Sequence, residues 1–421
     1  MTIDQTILEN GLRVVTWALP GLETAAIGLT IDTGSRFEAA EVNGVAHMLE
    51  HMVFKGTRRR SARRIAEEIE AVGGQLNAFT GRDITSFYAR VLADDLPLGL
   101  DMVADLVTEP LLDPDELVRE RDVVLQELGQ AIDTPDDIVF DHLYAAAFRG
   151  QGLGRAVLGT EASIARIDRP ALVDWLDRQY RAGSMVLTAA GKVDHAAIVA
   201  MARDRLGGIA AGVRANATAP EAVLGGEQRD ERALEQVQVA LALPGPHYTD
   251  PDYYPLMLFA TALGGGMSSR LFQEVREERG LVYSIYSYVS AYADTGYFGV
   301  SFATGEELAQ EAATRTMATM AQTATGLDAA ELARAKAQVK AGLLMGLESC
   351  TGMIKQMARQ LLLIDRVTPT AEIVARIDAV TLEEVRASAR HMLQRADALA
   401  LATVGPSQTV PDRARLAGWL A

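Results

Sequence analysis

Two stretches, DPDELVRERDVVLQEL at residues 113–128 and DAAELARAKAQVKAGL at residues 328–343, read as two versions of one amphipathic helix set 215 residues apart. Their surroundings repeat as well. ITSFYARVLADDLPLGLDMVADLV, residues 84–107, leads into the first stretch as a strand feeding a helix, and TGYFGVSFATGEELAQEAATRTMATM, residues 295–320, leads into the second in the same way. Further upstream, the strand pattern AAIGLTIDTG at 25–34 has a counterpart in QVQVALALPG at 236–245. Self-similarity at a fixed offset marks an internal duplication. The join is expected in the polar, Ala/Gly-rich stretch from Gly207 to Asp230, giving domains over residues 1–215 and 216–421. Long strands running into helices through hairpin connections predict an α+β, sandwich-like fold. Each half is expected to be a mainly antiparallel β-sheet covered by α-helices.

The first half carries its own punctuation. Two β runs flank Asn10-Gly11, a strong hairpin signal. Asn43 is placed to cap a helix through GVAHMLEHMVF, which Gly56 can close, and SARRIAEEIEAVGG predicts a second helix. The runs QLNAFT and ITSFYARVL predict strands on either side of Gly81-Arg82-Asp83. In the duplicated helix, Asp113 is expected to cap, Pro114 to take the first turn and Glu116 to complete a capping box.

The two copies differ in their ionisable groups. At the offset of 215, Glu120 falls on Ala335 and Glu127 on Gly342, and the counterpart of GVAHMLEHMVF is YYPLMLFATAL, which has neither histidine nor glutamate. Of only six histidines in the chain, His47 and His51 stand four positions apart. On a helix that spacing puts both on one face, able to hold one ion through their ring nitrogens. Glu50 sits about 100° round from His51, close enough to take a proton from a water on the metal without being a ligand. Two imidazoles, a third protein ligand and one open position describe a hydrolytic metal centre. Glu120 and Glu127 are both candidates for the third ligand; spaced by seven, one can bind while the other supports a histidine. The remaining histidines, His142, His195, His247 and His391, have no such neighbours.

Composition limits the function class. At 421 residues, 49% hydrophobic and 23% charged, the chain can bury more than one core. Its net charge of -16 argues against a nucleic-acid partner and favours basic ligands, an effect to which Asp133, Asp136 and Asp137 would contribute. Six basic residues in KGTRRRSARR, Lys55 to Arg64, therefore read as a solvated connector rather than a nucleic-acid patch, and GGGMSS lacks the Gly-Lys-Ser/Thr of a phosphate loop. The single cysteine, Cys350, allows no intrachain disulfide and suits a reducing compartment. With no signal or transit pattern evident at the N-terminus and no apolar run long enough to span a membrane, a cytoplasmic protein is expected.

HMLEH, as His-x-x-Glu-His with a glutamate 76 positions beyond its second histidine, resembles the inverted zinc motif of the pitrilysin, insulin-degrading enzyme and mitochondrial processing peptidase family. DTGSRFE, HMVFKGT, GGQLNAFTGRD and GGGMSSRLFQEVREERGLVYS resemble family segments in the same order, and the length is similar to the two-domain, processing-peptidase branch. The resemblance implies a zinc endopeptidase acting on extended peptides or unfolded segments. It implies one Zn2+ per chain held by His47, His51 and Glu127, with Glu120 supporting a histidine and Glu50 as the general base. It implies that QLNAFT is an edge strand receiving the peptide, with Asn77 and Ala78 near the scissile bond. Arg276 and Tyr283 in FQEVREERGLVY match the family's arginine and tyrosine that meet the substrate carbonyl from the opposing half. A chain carrying both sets is expected to form a homodimer with sites completed in trans, or a heterodimer with a related chain. The alternative activity class is a catalytically silent structural or partner subunit, which would be expected to lack a ligand or the base.

Overall fold

The computed structural model describes residues 2–215 and 221–420. The expected boundary between residues 215 and 216 borders on residues 216–220, which lie outside the described residues. The chain divides into two compact units, Met1–Leu128 with Arg155–Thr218 and Met345–Val367, and Gly129–Gly154 with Ala219–Leu344 and Thr368–Ala421.

The first unit is built on a six-stranded sheet. Its strands are β1 (Thr2–Ile7), β2 (Arg13–Ala18), β3 (Thr24–Ile31), β4 (Gln75–Thr80), β5 (Thr85–Leu92) and β6 (Met185–Gly191), in the order β1-β2-β6-β3-β5-β4. Every pair is antiparallel except β2 with β6. The Asn10-Gly11 signal marks the β1–β2 turn. That turn runs over residues 8–12, closed by Leu8 N–H to Leu12 O, with Gly11 at φ 95°. Period-two patterning sorts the sheet residues: Ile27, Leu29, Phe87 and Ala89 enter the core under helices α1 (Val45–Val53) and α3 (Leu96–Thr108), while helix α2 is Ala62–Ala71. The opposite face of β3 and β6 carries the helix Cys350–Ile364, contributed from far along the sequence. Gly28 makes that approach possible, since a Cβ there would stand 3.1 Å from Ile354 Cδ1.

The second unit repeats the plan with β7 (Gly226–Asp230), β8 (Gln236–Pro244), β9 (Ile285–Ala291), β10 (Gly296–Gly305) and β11 (Ala400–Val404), ordered β7-β11-β8-β10-β9. Again one pair, β7 with β11, is parallel and the others antiparallel. Helix α4 (Pro114–Ile132) lies mostly in the first unit, and α5 (Pro135–Ala147) packs on β7, β8 and β11 of the second. There the Tyr144 hydroxyl meets those of Tyr292 at 2.6 Å and Tyr297 at 3.2 Å, satisfying polar groups inside an apolar layer. No helix among the described residues is long and apolar enough to cross a membrane.

Two capping expectations are corrected. Asn43 does not cap α1; its amide donates to Glu38 Oε2 at 2.6 Å, and the N-cap residue is Gly44 at φ 97°. The Glu38 carboxylate takes the capping role by accepting from Gly44 N at 2.7 Å and Ala46 N at 2.9 Å. At α4, Asp113 Oδ1 accepts from Asp115 N and Glu116 N as expected, but the Glu116 carboxylate pairs with Arg119 instead of closing a box. In the basic connector, Arg59 and Arg60 both bind Asp101 and Asp105, so part of it is an internal ion-pair network.

Candidate metal centre

Helix α1 begins where the chain needs a left-handed turn. At Gly44 a Cβ would also lie 2.7 Å from Leu158 O, so only glycine fits without displacement. The first turn is then held by Glu38, which is buried. Burial pushes its carboxyl up to about 7, opposed by the N–H donors of Ala46, Asn43 and Gly44. One turn further on, His47 and His51 face the same side with ring centroids 4.7 Å apart and planes at 62°.

Helix α4 supplies the acidic side. Glu127 Oε2 lies 3.4 Å from His51 Nε2 and 3.7 Å from His47 Nε2, and neither contact is a hydrogen bond. One ligand atom from each of the three residues falls within 4.8 Å of the other two. Donors about 2.0–2.1 Å from a tetrahedral zinc stand roughly 3.4 Å apart, so this spacing fits a shared ion. Burial, and then the neighbouring His51, push His47 down to about 4, which keeps it in the neutral form a metal requires. Its Nδ1 is buried without a hydrogen-bond partner among the described residues.

Glu120, seven residues before Glu127 and buried, places Oε2 3.1 Å from His51 Nδ1 and Oε1 2.6 Å from Lys55 Nζ. A carboxylate there that accepts a hydrogen bond from Nδ1–H would leave the Nε2 lone pair of His51 facing Glu127. Glu50 is not one of the three, and its Oε2 accepts from Thr80 Oγ1 at 2.5 Å. Burial raises the Glu50 carboxyl, the Thr80 hydrogen bond and His51 oppose this, and Glu127 adds to it. Behind it lies Tyr180, a buried phenol whose hydroxyl has no hydrogen-bond partner among the described residues and whose pKa is raised by burial and by Glu50.

Asn77 and Ala78 lie on β4, at the edge of the first unit's sheet. Ala78 and Thr80 face α1, whereas the Asn77 side chain stands on the other face and accepts from Ala78 N at 2.8 Å. Arg276 and Tyr283 come together in the second unit, the guanidinium 5.2 Å from the Tyr283 ring and 4.4 Å from that of Phe272. Tyr283 is 77% exposed. Sequence reasoning missed Glu38, Thr80, Lys55 and Tyr180. For Thr80 a signal existed, since it follows Ala78 by two on the same strand face.

A family model described as insulinase, peptidase family M16, matches residues 13–161, and one described as the peptidase M16 inactive domain matches residues 166–339. An uncharacterized zinc protease of Mycobacterium bovis is 39% identical over 98% of this chain and 95% of its own. A probable mitochondrial-processing peptidase subunit beta of Arabidopsis thaliana is 37% identical over 97% of this chain and 79% of its own. Among solved structures, a chain of complex III2 from Candida albicans superposes with a TM-score of 0.89 over 100% of both chains at 22% identity, a likeness of fold alone.

Proposed function

Because this chain belongs to the insulinase family of peptidases, family M16, we propose that it is a zinc endopeptidase cleaving extended peptides or unfolded protein segments. The observation that carries the reading is the convergence of His47 Nε2, His51 Nε2 and Glu127 Oε2 at the span of tetrahedral donors, without hydrogen bonds among them. When bound, zinc supplies a Lewis acid that polarises a carbonyl and makes water a nucleophile near neutral pH. In this reading Glu50, tied to Thr80 beside the three ligands, takes the proton of the attacking water and passes it to the leaving amine. Glu120 holds the tautomer of His51. The free edge of β4 receives the peptide as an added strand, through backbone groups at Asn77 and Ala78.

The Arabidopsis relative is by name a subunit, and a second copy of this chain would complete the site with Arg276 and Tyr283, which donate to the oxygen that gains negative charge. A cytoplasmic setting accords with the single free thiol, Cys350. A silent partner subunit would be expected to lack a ligand or the base, and the presence of His47, Glu50, His51 and Glu127 in this chain supports the enzyme reading.

The test is zinc content and peptide cleavage on purified protein. Glu50→Gln should retain zinc and lose on the order of a hundredfold or more in rate, while His51→Ala and Glu127→Ala should lose the zinc itself. Normal cleavage by Glu50→Gln would remove the assigned base. Mixing Glu50→Gln with Tyr283→Phe chains tests sharing: activity recovered on subunit exchange supports the homodimer, and none in verified mixed dimers refutes it.

A further inference from the structure

Strand β4 has one partner, β5, so its other edge is open for pairing among the described residues. A peptide added there would alternate its side chains between two faces. One face is that of Leu76, Ala78 and Thr80, which leads to Glu50 and the metal ligands. The other is that of Gln75, Asn77 and Phe79, continued on β5 by Tyr88 and Arg90.

That second face is not a plain solvated surface. Lys355, on the helix Cys350–Ile364, reaches over it with Nζ 5.2 Å from the ring centroid of Phe79 and 5.2 Å from that of Tyr88. The helix is fixed in place: Thr188 Oγ1 donates to Ile354 O at 3.3 Å, and Ile354 packs where Gly28 lacks a side chain. Among the described residues no carboxylate lies within ion-pair distance of Lys355, nor of Arg90 on the same face. Two cations without acidic partners, in a chain of net charge -16 with an excess of carboxylates to pair with, make this face locally opposite in sign to the molecule. The aromatic rings hold the ammonium at a set height beside the open edge.

We infer that Lys355 is a specificity-determining residue, selecting an acidic side chain at the substrate position that alternates onto the face of β4 away from the metal centre. The inference rests on the proposed peptidase activity and on strand addition at β4. A carboxylate entering beside Lys355 and above Phe79 gains a charge-assisted hydrogen bond from the ammonium, whereas a lysine there meets like charge. Positions on the metal side of the same peptide have no such preference from Lys355, so the charge selection should recur only on alternate residues.

The experiment is a positional scan on the zinc-loaded, full-length protein. An unstructured peptide with one mapped cleavage site is made with Glu or Lys at each position in turn, and kcat/KM for the Glu peptide is divided by that for the Lys peptide. In the unaltered protein one position on the far face should show a ratio of about ten, carried by KM. Lys355→Met, which keeps the stem over the rings, should bring the ratio near one, and Lys355→Glu should invert it. Taking the ratio within each protein cancels any general loss of activity or folding. Cleavage with the same ratio at every position in all three proteins overturns the assignment while leaving the peptidase reading intact. Absence of cleavage by the unaltered zinc-loaded protein overturns both.

Discussion

In the proposed site the carboxylate of Glu120 controls a proton rather than a ligand bond, and this can be separated from its mere presence by an isosteric change. In the native arrangement both oxygens accept, one from His51 Nδ1 at 3.1 Å and one from Lys55 Nζ at 2.6 Å. Glu120→Gln keeps the shape but has one acceptor. The Lys55 ammonium, a donor only, takes the amide oxygen, and the NH2 is left facing His51 Nδ1. A donor there stabilises the tautomer with Nδ1 bare and the proton on Nε2, the atom 3.4 Å from Glu127 that zinc needs free. Loss of such an outer hydrogen bond costs roughly 10–100-fold in metal affinity, or about 1.4–2.7 kcal/mol. Glu120→Ala leaves Nδ1–H to water and permits the correct tautomer, so the isostere should bind zinc no better than alanine does. Competition against a chelator gives the affinity, and nitrogen chemical shifts of the metal-free protein report the His51 tautomer. Native zinc affinity in Glu120→Gln, with the Nδ1 proton still in place, would refute the reasoning.

Three further outcomes follow from the same geometry. Thr80→Val removes the hydrogen bond that opposes the burial of Glu50, so the acid limb of the kcat/KM profile should move to higher pH, with rates on that limb lower by on the order of tenfold; an unmoved profile would detach Thr80 from the base. Gly44→Ala forces a side chain into a backbone at φ 97° and 2.7 Å from Leu158 O, and denaturant titration should show a loss of about 1–3 kcal/mol together with weaker zinc binding. In metal-free protein Glu38, raised from 4.5 to about 7, stabilises the fold below its unfolded value and loses that stabilisation as pH rises toward 7. His47, lowered from 6.5 to about 4, contributes the opposite slope in the same window, so the quantity to measure is the stability of Glu38→Gln minus that of the native protein, which should rise by roughly 3 kcal/mol between pH 4 and pH 8.

Much of this molecule was legible from residue spacing, and the exceptions share a physical cause. His47, Glu50 and His51 could be read because helical periodicity fixes neighbours four residues apart. Glu127 and Glu120 could be paired with them because the second copy puts Gly342 and Ala335 at their positions, which isolated them as additions to a common scaffold. The strands β4 and β5 could be read from their alternation. Glu38 could not: nothing local says that a carboxylate six residues before Gly44 will fold back onto its N–H, and Asn43, a good capping residue by type, is drawn to that same carboxylate. Lys55 sat in a basic run that composition explained as solvated, yet its ammonium reaches α4. Tyr180 and Lys355 approach the site's sheet from 100 or more residues beyond β4, and contacts of that separation leave no periodic trace.

The difference between the copies also has an energetic reason to persist. Glu120 is 4% exposed and Ala335, its counterpart, 1%. A carboxylate at such a depth loses most of its hydration, a cost of several kcal/mol unless cations or N–H donors replace the water. Around Glu120 that replacement exists, in Lys55 and in the imidazole of His51. The helix Tyr253–Gly264, which stands where α1 stands in the first unit, has no ionisable group except its two N-terminal tyrosines. A glutamate at 335 would therefore be buried beside apolar side chains, with nothing to orient and no proton to hold. Once one copy lacks the histidines, alanine is the stable choice at this position. The buried acid, the lysine and His51 are bound to one another, and their joint presence with His47 in the first unit gives the metal reading more support than any one of these residues taken alone.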